Sequence, residues 1–182
     1  MTEAMLSFDE SLHVLGLKNA KYFAERLFRQ CFASPFPVPR YESALPIPTP
    51  AQQWFQYVAL YKWSDQHIEP VGFCNWIRFG DVYLEGGMCV DRTIYRRLPK
   101  EHWSACKARG GIAQIMMESA ARELNDCDAW FGYCGDKKAY LVDSRVGYRS
   151  TGKPYLIVKW FREVSPERQR ELEDKVAAIG PF

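Results

Sequence analysis

The chain lacks the sequence features that mark several large classes of protein. Its six cysteines include no Cys-x-x-Cys pair, and its three histidines, His13, His67 and His102, stand far apart. These spacings predict no metal site and no Ser-His-Asp arrangement. The chain has neither about eighteen consecutive apolar residues nor an apolar segment at its start, so we predict no membrane helix and no signal peptide. Together with the unpaired cysteines, this predicts a cytoplasmic protein.

Strong charge of either sign is also missing. The 182 residues carry a formal net charge of +2, and the isoelectric point is near 8.2. A charge this small creates no long-range field for nucleic acid or an acidic membrane surface, so we expect neither partner. The phosphate-binding motifs G-x-x-x-x-G-K-[ST] and G-x-G-x-x-G are absent, which argues against a P-loop ATPase and a Rossmann dehydrogenase.

The chain does have enough apolar sequence for one core, since 47% of its residues are hydrophobic. A chain of this length is expected to form a single domain, here 1–182. We place its core at about 54–161, after an N-terminal helix and a proline-rich segment in 1–53 and before a C-terminal helix at 165–179.

Hydrophobic periodicity and turn residues predict the order of the elements. They are a helix at Leu17–Phe32, an extended segment at Pro35–Pro50, an antiparallel meander of strands at Trp54–Trp63, Val71–Phe79 and Asp81–Val90, a long loop at Asp91–Ala108, a helix from Gly111 to Leu124, a strand at Ala129–Cys134, a helix at Asp136–Arg145, a strand at Tyr155–Phe161 and a helix at Pro166–Ile179. Gly86 and Gly87 interrupt the third strand of the meander, which indicates a bulge or the close approach of a ligand.

The helix that begins at Gly111 follows a glycine turn, Arg109-Gly110-Gly111-Ile112-Ala113. The first N–H groups of a helix have no intrahelical partner and carry partial positive charge, and glycine lets a ligand approach the backbone. A phosphate group would fit there. Two glycines before a helix can also be no more than a turn.

Two motifs and the order of the elements resemble the GCN5-related N-acetyltransferase (GNAT) superfamily. The acetyl-CoA signature of that family, [RQ]-x-x-G-x-[GA], is similar to 108–113, although Ala108 stands where Arg or Gln is expected and Arg109 or Lys107 would have to compensate. The later helix of the family, N-x-x-A-x-x-L-Y-x-x-x-G-F, aligns with Asp136, Ala139, Val142, Asp143, Gly147 and Tyr148.

A third likeness is the strand at 83–91, which resembles the acetyl-binding strand of the family with one extra residue at its glycines. The resemblance covers about 54–161 and implies an α/β (α+β) fold. In that fold a mostly antiparallel central sheet is flanked by helices, and its central parallel strands splay apart. It also implies acetyl-CoA as the co-substrate and no metal.

The resemblance further implies which residues hold acetyl-CoA. The pantetheine would pair with the backbone of the splayed strand, and the pyrophosphate would meet N–H groups at the glycine turn. The implied residues are Met88, Cys89, Val90, Arg109, Gly110, Gly111, Ile112, Ala113, Gln114 and Asp136.

Acetyl transfer to an amine needs a base for the amine's proton and an acid for the departing thiolate. Glu85 is the expected base, since several family members carry a glutamate on this strand, although a solvent-facing or salt-bridged Glu85 is an open alternative. Asp143 occupies the position of the family's tyrosine acid, and an ionised carboxylate cannot donate a proton. Tyr140 and Tyr148 are the substitutes, or else packing aromatics.

Two further features have open roles. The basic and aromatic segment between Asp91 and Ala108 could cover the cofactor, hold its 3′-phosphate or shape the acceptor site, or it could be an exposed loop. Its residues of interest are Arg92, Tyr95, Arg96, Arg97, Lys100, His102, Trp103 and Lys107. Cys89 and Cys134 lie on the two strands that should flank the cofactor. Cysteines on central strands usually pack in the core, and the alternative is that one of these two carries the acyl group covalently.

The leading hypothesis is an acetyl-CoA-dependent N-acetyltransferase acting on an amine of a small molecule or peptide. The alternatives are a non-catalytic CoA-binding or regulatory protein with this fold and a transferase that uses a different acyl-CoA. The sequence leaves open whether the protein forms a homodimer.

Overall fold

A computed structural model describes residues 6–32, 35–36 and 53–182 of the chain. In these ranges the centre is a seven-stranded sheet in the order β1-β2-β3-β4-β5-β7-β6. The strands are β1 (Leu12–Leu17), β2 (Trp54–Ser64), β3 (His67–Phe79), β4 (Val82–Val90), β5 (Ala129–Tyr133), β6 (Arg149–Ser150) and β7 (Leu156–Trp160). Of these strands only β4 and β5 pair in parallel, and the other pairings are antiparallel. The predicted mixed, mostly antiparallel sheet is therefore confirmed.

Helices lie on the two faces of the sheet. They are α1 (Phe8–Ser11), α2 (Lys21–Phe32), α3 (Ile94–Arg97), α4 (Lys100–Ala108), α5 (Ile112–Glu123), α6 (Lys137–Arg145) and α7 (Pro166–Ala177). The largest buried cluster joins α5 to one face of the central strands. On the opposite face, one cluster joins α2 to Phe73 and Cys89, and a separate one joins α7 to Leu84 and Phe131.

The β2-β3-β4 meander forms as predicted, with Gly80 at positive φ (63°) in the turn between β3 and β4. The predicted helix after the glycine turn is α5, which buries Ile112, Met116 and Ala120. It lies so close to β3 that a β-carbon at Gly72 would collide with the sulfur of Met116. This contact sets the position of α5 against the centre of the sheet.

The predicted helix at Leu17–Phe32 is wrong at its start. Residues Leu12–Leu17 form β1, an edge strand paired antiparallel with β2, and the helix begins only at Lys21. The side chain of Asn19 accepts a hydrogen bond from the N–H of Lys21 (2.9 Å), and Gln56 accepts one from the N–H of Ala20 (2.7 Å). Side-chain acceptors of this kind satisfy the first donors of a helix and so define its start.

The predicted loop at Asp91–Ala108 is also wrong, because it contains α3 and α4. His102 on α4 is 4% exposed, and its two ring nitrogens lie 2.5 Å from the Tyr61 hydroxyl and 2.8 Å from the Leu6 carbonyl oxygen. This segment is therefore packed against the N-terminal part of the chain. The predicted extended segment at Pro35–Pro50 lies outside the described residues apart from Pro35 and Phe36.

Candidate functional site

The two parallel strands β4 and β5 separate halfway along their length. They pair from Val82 with Ala129 as far as Glu85 with Gly132, and no pairing between them follows. A cavity of about 230 Å³ lies where they diverge. Its walls come from β4, β5, β7, α6 with the residues just before it, and the end of α2. The residues are Phe32, Glu85, Gly86, Gly87, Met88, Gly132, Tyr133, Cys134, Gly135, Asp136, Ala139, Asp143 and Ile157.

A β-bulge on β4 forms one wall of this cavity. Cys74 of β3 pairs with Met88 and Trp76 pairs with Glu85, so the single residue between them, Asn75, faces both Gly86 and Gly87. The bulge predicted at the two glycines is therefore present. It changes the direction of β4 immediately after Glu85, at the last residue pair that β4 shares with β5.

Glu85 is the buried acidic group of this site. Its side chain is on the α5 face of the sheet, only 8% of the residue is exposed, and the hydroxyl of Tyr148 donates a 2.5 Å hydrogen bond to its Oε2 atom. Burial, and secondarily the charge of Asp143, raise the pKa of Glu85 to about 8, although the Tyr148 hydrogen bond and Lys159 act in the opposite direction. The carboxyl group therefore exchanges its proton near neutral pH.

Asp143 is a second buried carboxyl group in the same cavity. It lies on α6, is 4% exposed, and its pKa is raised by burial, while a hydrogen bond from Cys134 lowers it. Burial also raises the pKa of the Cys134 thiol to about 12, with Asp143 as the second cause. The thiol therefore stays protonated, which argues against an acyl-cysteine at this position.

The structure separates the other predicted acid–base candidates. Tyr148 is 2% exposed and serves as the hydrogen-bond donor to Glu85. Tyr140 does not line the cavity, and its hydroxyl lies 3.0 Å from the Ser150 Oγ atom on β6. Asp136, which was predicted to bind the cofactor, lines the cavity, but its carboxylate caps α6 by accepting from the N–H groups of Lys138 and Ala139.

The predicted pantetheine-binding residues divide between the two faces of β4. Met88 lines the cavity and packs with Val90 against the α5 cluster. Cys89 is buried in the α2 cluster on the opposite face. Beyond Glu85, the backbone of β4 that faces β5 has no strand partner among the described residues, because the parallel pairing has ended.

The glycine turn joins the end of α4 to the start of α5. Gly110 and Gly111 have φ values of 78° and 95°, which glycine adopts readily and other residues do not. The N–H groups of Arg109, Gly110 and Gly111 donate to carbonyl oxygens of α4. The N–H of Ile112 donates to the Tyr95 hydroxyl (3.3 Å). In the first turn of α5 this leaves the N–H groups of Ala113 and Gln114 for a ligand.

Arg109 and Lys107 are the two side chains that could compensate for Ala108, and both are exposed. The Arg109 guanidinium forms an ion pair with Asp9 (2.6 Å), and its planar group lies over the Phe8 ring. Lys107 is exposed on α4. The α3–α4 segment instead brings the Tyr95 hydroxyl to the glycine turn, a contact that sequence spacing did not predict.

Two further observations concern metal binding and membrane-spanning helices. Within 6–32, 35–36 and 53–182, no three histidine, cysteine or acidic side chains are grouped closely enough to hold a metal ion. In the same ranges, none of the helices is long and apolar enough to cross a bilayer.

Comparison with known proteins identifies the architecture. No family model matches the sequence, and no curated protein matches it. The solution structure of YhhK from E. coli, a candidate N-acetyltransferase bound to coenzyme A, is 11% identical, covers 82% of this chain and 98% of its own, and has a TM-score of 0.51. A crystal structure from Desulfovibrio desulfuricans, a candidate acetyltransferase of the GNAT family, is 9% identical, covers 84% of this chain and 100% of its own, and has a TM-score of 0.50.

These similarities extend over nearly the whole of both solved structures, and they agree with the diverging parallel strands and the glycine turn described above. The chain therefore has the fold of the GCN5-related N-acetyltransferase superfamily.

Proposed function

We propose that the protein is an N-acetyltransferase that moves the acetyl group of acetyl-CoA to an amine of a small molecule or peptide. The observation that carries this proposal is the buried Glu85 carboxyl group, with a pKa near 8, in the wall of the cavity between β4 and β5. A base works best when its pKa is close to the working pH, and burial has brought Glu85 into that range. The coenzyme A in the YhhK structure, which has the same fold, is consistent with this proposal.

The residues present fit an acyl-CoA at two places. The unpaired edge of β4 from Gly86 to Val90 offers backbone groups to the two amides of pantetheine, as an added strand would use them. The N–H groups of Ala113 and Gln114 face the position proposed for the diphosphate, and the start of α5 contributes partial positive charge. Gly111 keeps this approach free of a side chain.

The chemistry divides between the co-substrate and the chain. Acetyl-CoA supplies an acetyl group already activated as a thioester. Ionised Glu85 takes the proton that the amine loses as its nitrogen bonds to the acetyl carbon. The departing sulfur takes a proton from water, to which Glu85 later releases the proton of the amine, because Asp143 acts on Glu85 as a charged group and an ionised carboxylate cannot donate. An amide and a free thiol result, so the protons balance.

The test is thiol release from acetyl-CoA by the purified chain with a panel of primary amines, together with calorimetric titration of CoA. We expect binding of CoA and amine-dependent release of thiol. CoA binding without release for any amine would contradict the enzyme proposal and favour a CoA-binding protein, for which Ala108 and Asp143 are the motivation. Faster release from propionyl-CoA or succinyl-CoA would identify a different acyl donor.

A further inference from the structure

Helix α4 holds an exposed tryptophan close to the glycine turn. Trp103 is 39% exposed, more than any other tryptophan of the described residues. Its ring packs edge-to-face on Tyr95 of α3, with 5.6 Å between the ring centroids and 63° between the ring planes. Tyr95 therefore fixes the orientation of the indole, while part of the indole surface stays open to solvent. A tryptophan held in this way can stack on a flat ligand without first losing rotational freedom.

Tyr95 connects this tryptophan to the start of α5. The hydroxyl of Tyr95 accepts a hydrogen bond from the N–H of Ile112 (3.3 Å), and a β-carbon at Gly111 would lie 3.4 Å from the same oxygen. The next two N–H groups of the helix, those of Ala113 and Gln114, are the proposed diphosphate position. The exposed indole is thus linked to that position through one side chain.

The same face of α4 carries positive charge. Lys100, Trp103 and Lys107 are three and four residues apart, so they lie along one side of the helix. Both lysines are exposed, and within the described ranges neither forms an ion pair. Arg97 of α3, in contrast, is already paired with Asp91 (2.8 Å). Two unpaired lysines beside an exposed aromatic ring suit a ligand that has both a flat ring and a phosphate.

The adenosine part of CoA has both of these groups. Adenine is a flat base that stacks on aromatic side chains, and the ribose of CoA carries a 3′-phosphate. In CoA the diphosphate joins the pantetheine to the adenosine. None of the described residues that line the cavity belongs to α3 or α4, so this segment lies outside the cavity that the pantetheine enters. The adenosine extends from the diphosphate on that outer side.

We infer that Trp103 stacks on the adenine of CoA and that Lys100 and Lys107 attract its 3′-phosphate. The α3–α4 segment is then the nucleotide-binding part of the acyl-CoA site. The lysines supply positive charge beside the turn, where Ala108 replaces the Arg or Gln of the family signature. This inference rests on the proposed function and names the residues that select CoA over a shorter pantetheine thioester.

The first experiment uses the nucleotide alone. Adenosine 3′,5′-bisphosphate carries the adenine and the 3′-phosphate but no pantetheine, and it should quench the tryptophan fluorescence of the chain with a saturable titration curve. The quenching should disappear in Trp103→Phe, because the other tryptophans of the described residues are more buried. Equal quenching in the variant and the wild type would overturn the stacking role of Trp103.

The second experiment removes the ring and compares two ligands by calorimetry. Trp103→Ala should lower the affinity for CoA at least about fivefold, as is typical for loss of one stacked base. Its affinity for 4′-phosphopantetheine, which has no adenine, should stay the same. Trp103→Phe keeps a ring and should retain most of the CoA affinity. Tyr22→Ala is the control, since Tyr22 is 93% exposed on α2, away from the turn, and should change neither affinity.

The third experiment tests the lysines. The wild type should bind CoA about threefold or more tightly than dephospho-CoA, which lacks the 3′-phosphate, and added salt should reduce this preference. Replacing Lys100 and Lys107 together by glutamine should abolish the preference and leave the affinity for dephospho-CoA unchanged. Lys21→Gln removes an exposed lysine of α2 and should keep the preference. A preference that persists in the double variant would overturn the phosphate role.

The outcomes separate this inference from the proposed function. An unchanged CoA affinity in Trp103→Ala would overturn the inference and leave acetyl transfer standing, and a simultaneous change from dimer to monomer would assign the indole to an interface between copies of the chain. CoA binding that depends on Trp103, without thiol release for any amine, would support the inference and overturn acetyl transfer. Absence of CoA binding by the wild type would overturn both.

Discussion

Replacing Glu85 by glutamine tests the proposed base, because the change keeps the shape of the side chain and removes its proton exchange. The wild-type carboxyl group is 8% exposed and has a pKa of about 8, which burial and Asp143 both raise. At pH 7 roughly one tenth of the molecules carry the ionised form, and the fraction grows with pH until it levels off above the pKa. The activity of the wild type should therefore rise with pH through a midpoint near 8.

General-base assistance typically contributes about 10²–10⁴ in rate. At pH 9, where Glu85 is mostly ionised, Glu85→Gln should lose most of that factor in kcat/KM. At pH 7 only the ionised fraction is lost, so the decrease should be at least about tenfold. The variant should also lose the rise of kcat/KM through pH 8, while its affinity for acetyl-CoA, measured by calorimetry, stays the same.

The same group links stability to pH. The folded pKa of Glu85, about 8, lies above its ordinary value of 4.5, so the folded state retains a proton that the unfolded state has lost. The stability contributed by the protonated group is complete below pH 4.5 and is lost as pH rises towards 8. The free energy of unfolding should fall by up to about 1.4 kcal/mol per pH unit in this range, and Glu85→Gln should reduce that slope.

A matched control is available on α5. Glu123 accepts a 2.9 Å hydrogen bond from the Tyr57 hydroxyl, as Glu85 does from Tyr148, but Glu123 is exposed and lies outside the cavity. Glu123→Gln should leave both pH profiles unchanged. If Glu85→Gln retained wild-type rates and the rise through pH 8, the amine proton would pass to water and the reasoning about Glu85 would be refuted.

Three other substitutions test the surroundings of Glu85 and the glycine turn. Tyr148→Phe removes a hydrogen bond that lowers the pKa of Glu85, so the midpoint of the kcat/KM profile should move to higher pH; an unchanged or lower midpoint would contradict this. Asp143→Asn removes a charge that raises the same pKa, so the midpoint should move to lower pH; an unchanged or higher midpoint would contradict this. Gly111→Glu places a side chain and a negative charge at the start of α5, and it should abolish CoA binding in calorimetry. Gly111→Ala has the same backbone strain at a φ of 95° without the charge, and it should bind CoA more tightly than Gly111→Glu; equal affinities would argue against a diphosphate at this turn.

The elements of the fold were predictable wherever a local pattern determines them. Alternating and helical periodicity located the β2-β3-β4 meander, α5, β5, α6 and α7, because these patterns reflect which face of each element is buried. Prediction failed at β1, whose last residue, Leu17, was assigned to the following helix, because the pairing of β1 depends on β2, far along the chain. It failed again at α3 and α4, where packing against the N-terminal segment orders residues that look like a polar loop.

The features of the candidate site also fall into two groups, those that the sequence indicated and those that only the tertiary structure identified. The sequence alone indicated the glycine turn and the bulge at Gly86 and Gly87, since both depend on residue type and local spacing, and the family resemblance indicated Glu85. Only the tertiary structure decided that Tyr148, 63 residues away, donates to Glu85, that Tyr140 lies outside the cavity, and that most N–H groups of the glycine turn already have acceptors. A pKa and a hydrogen bond depend on solvent exclusion and on neighbours from distant parts of the chain, and local sequence does not encode either one.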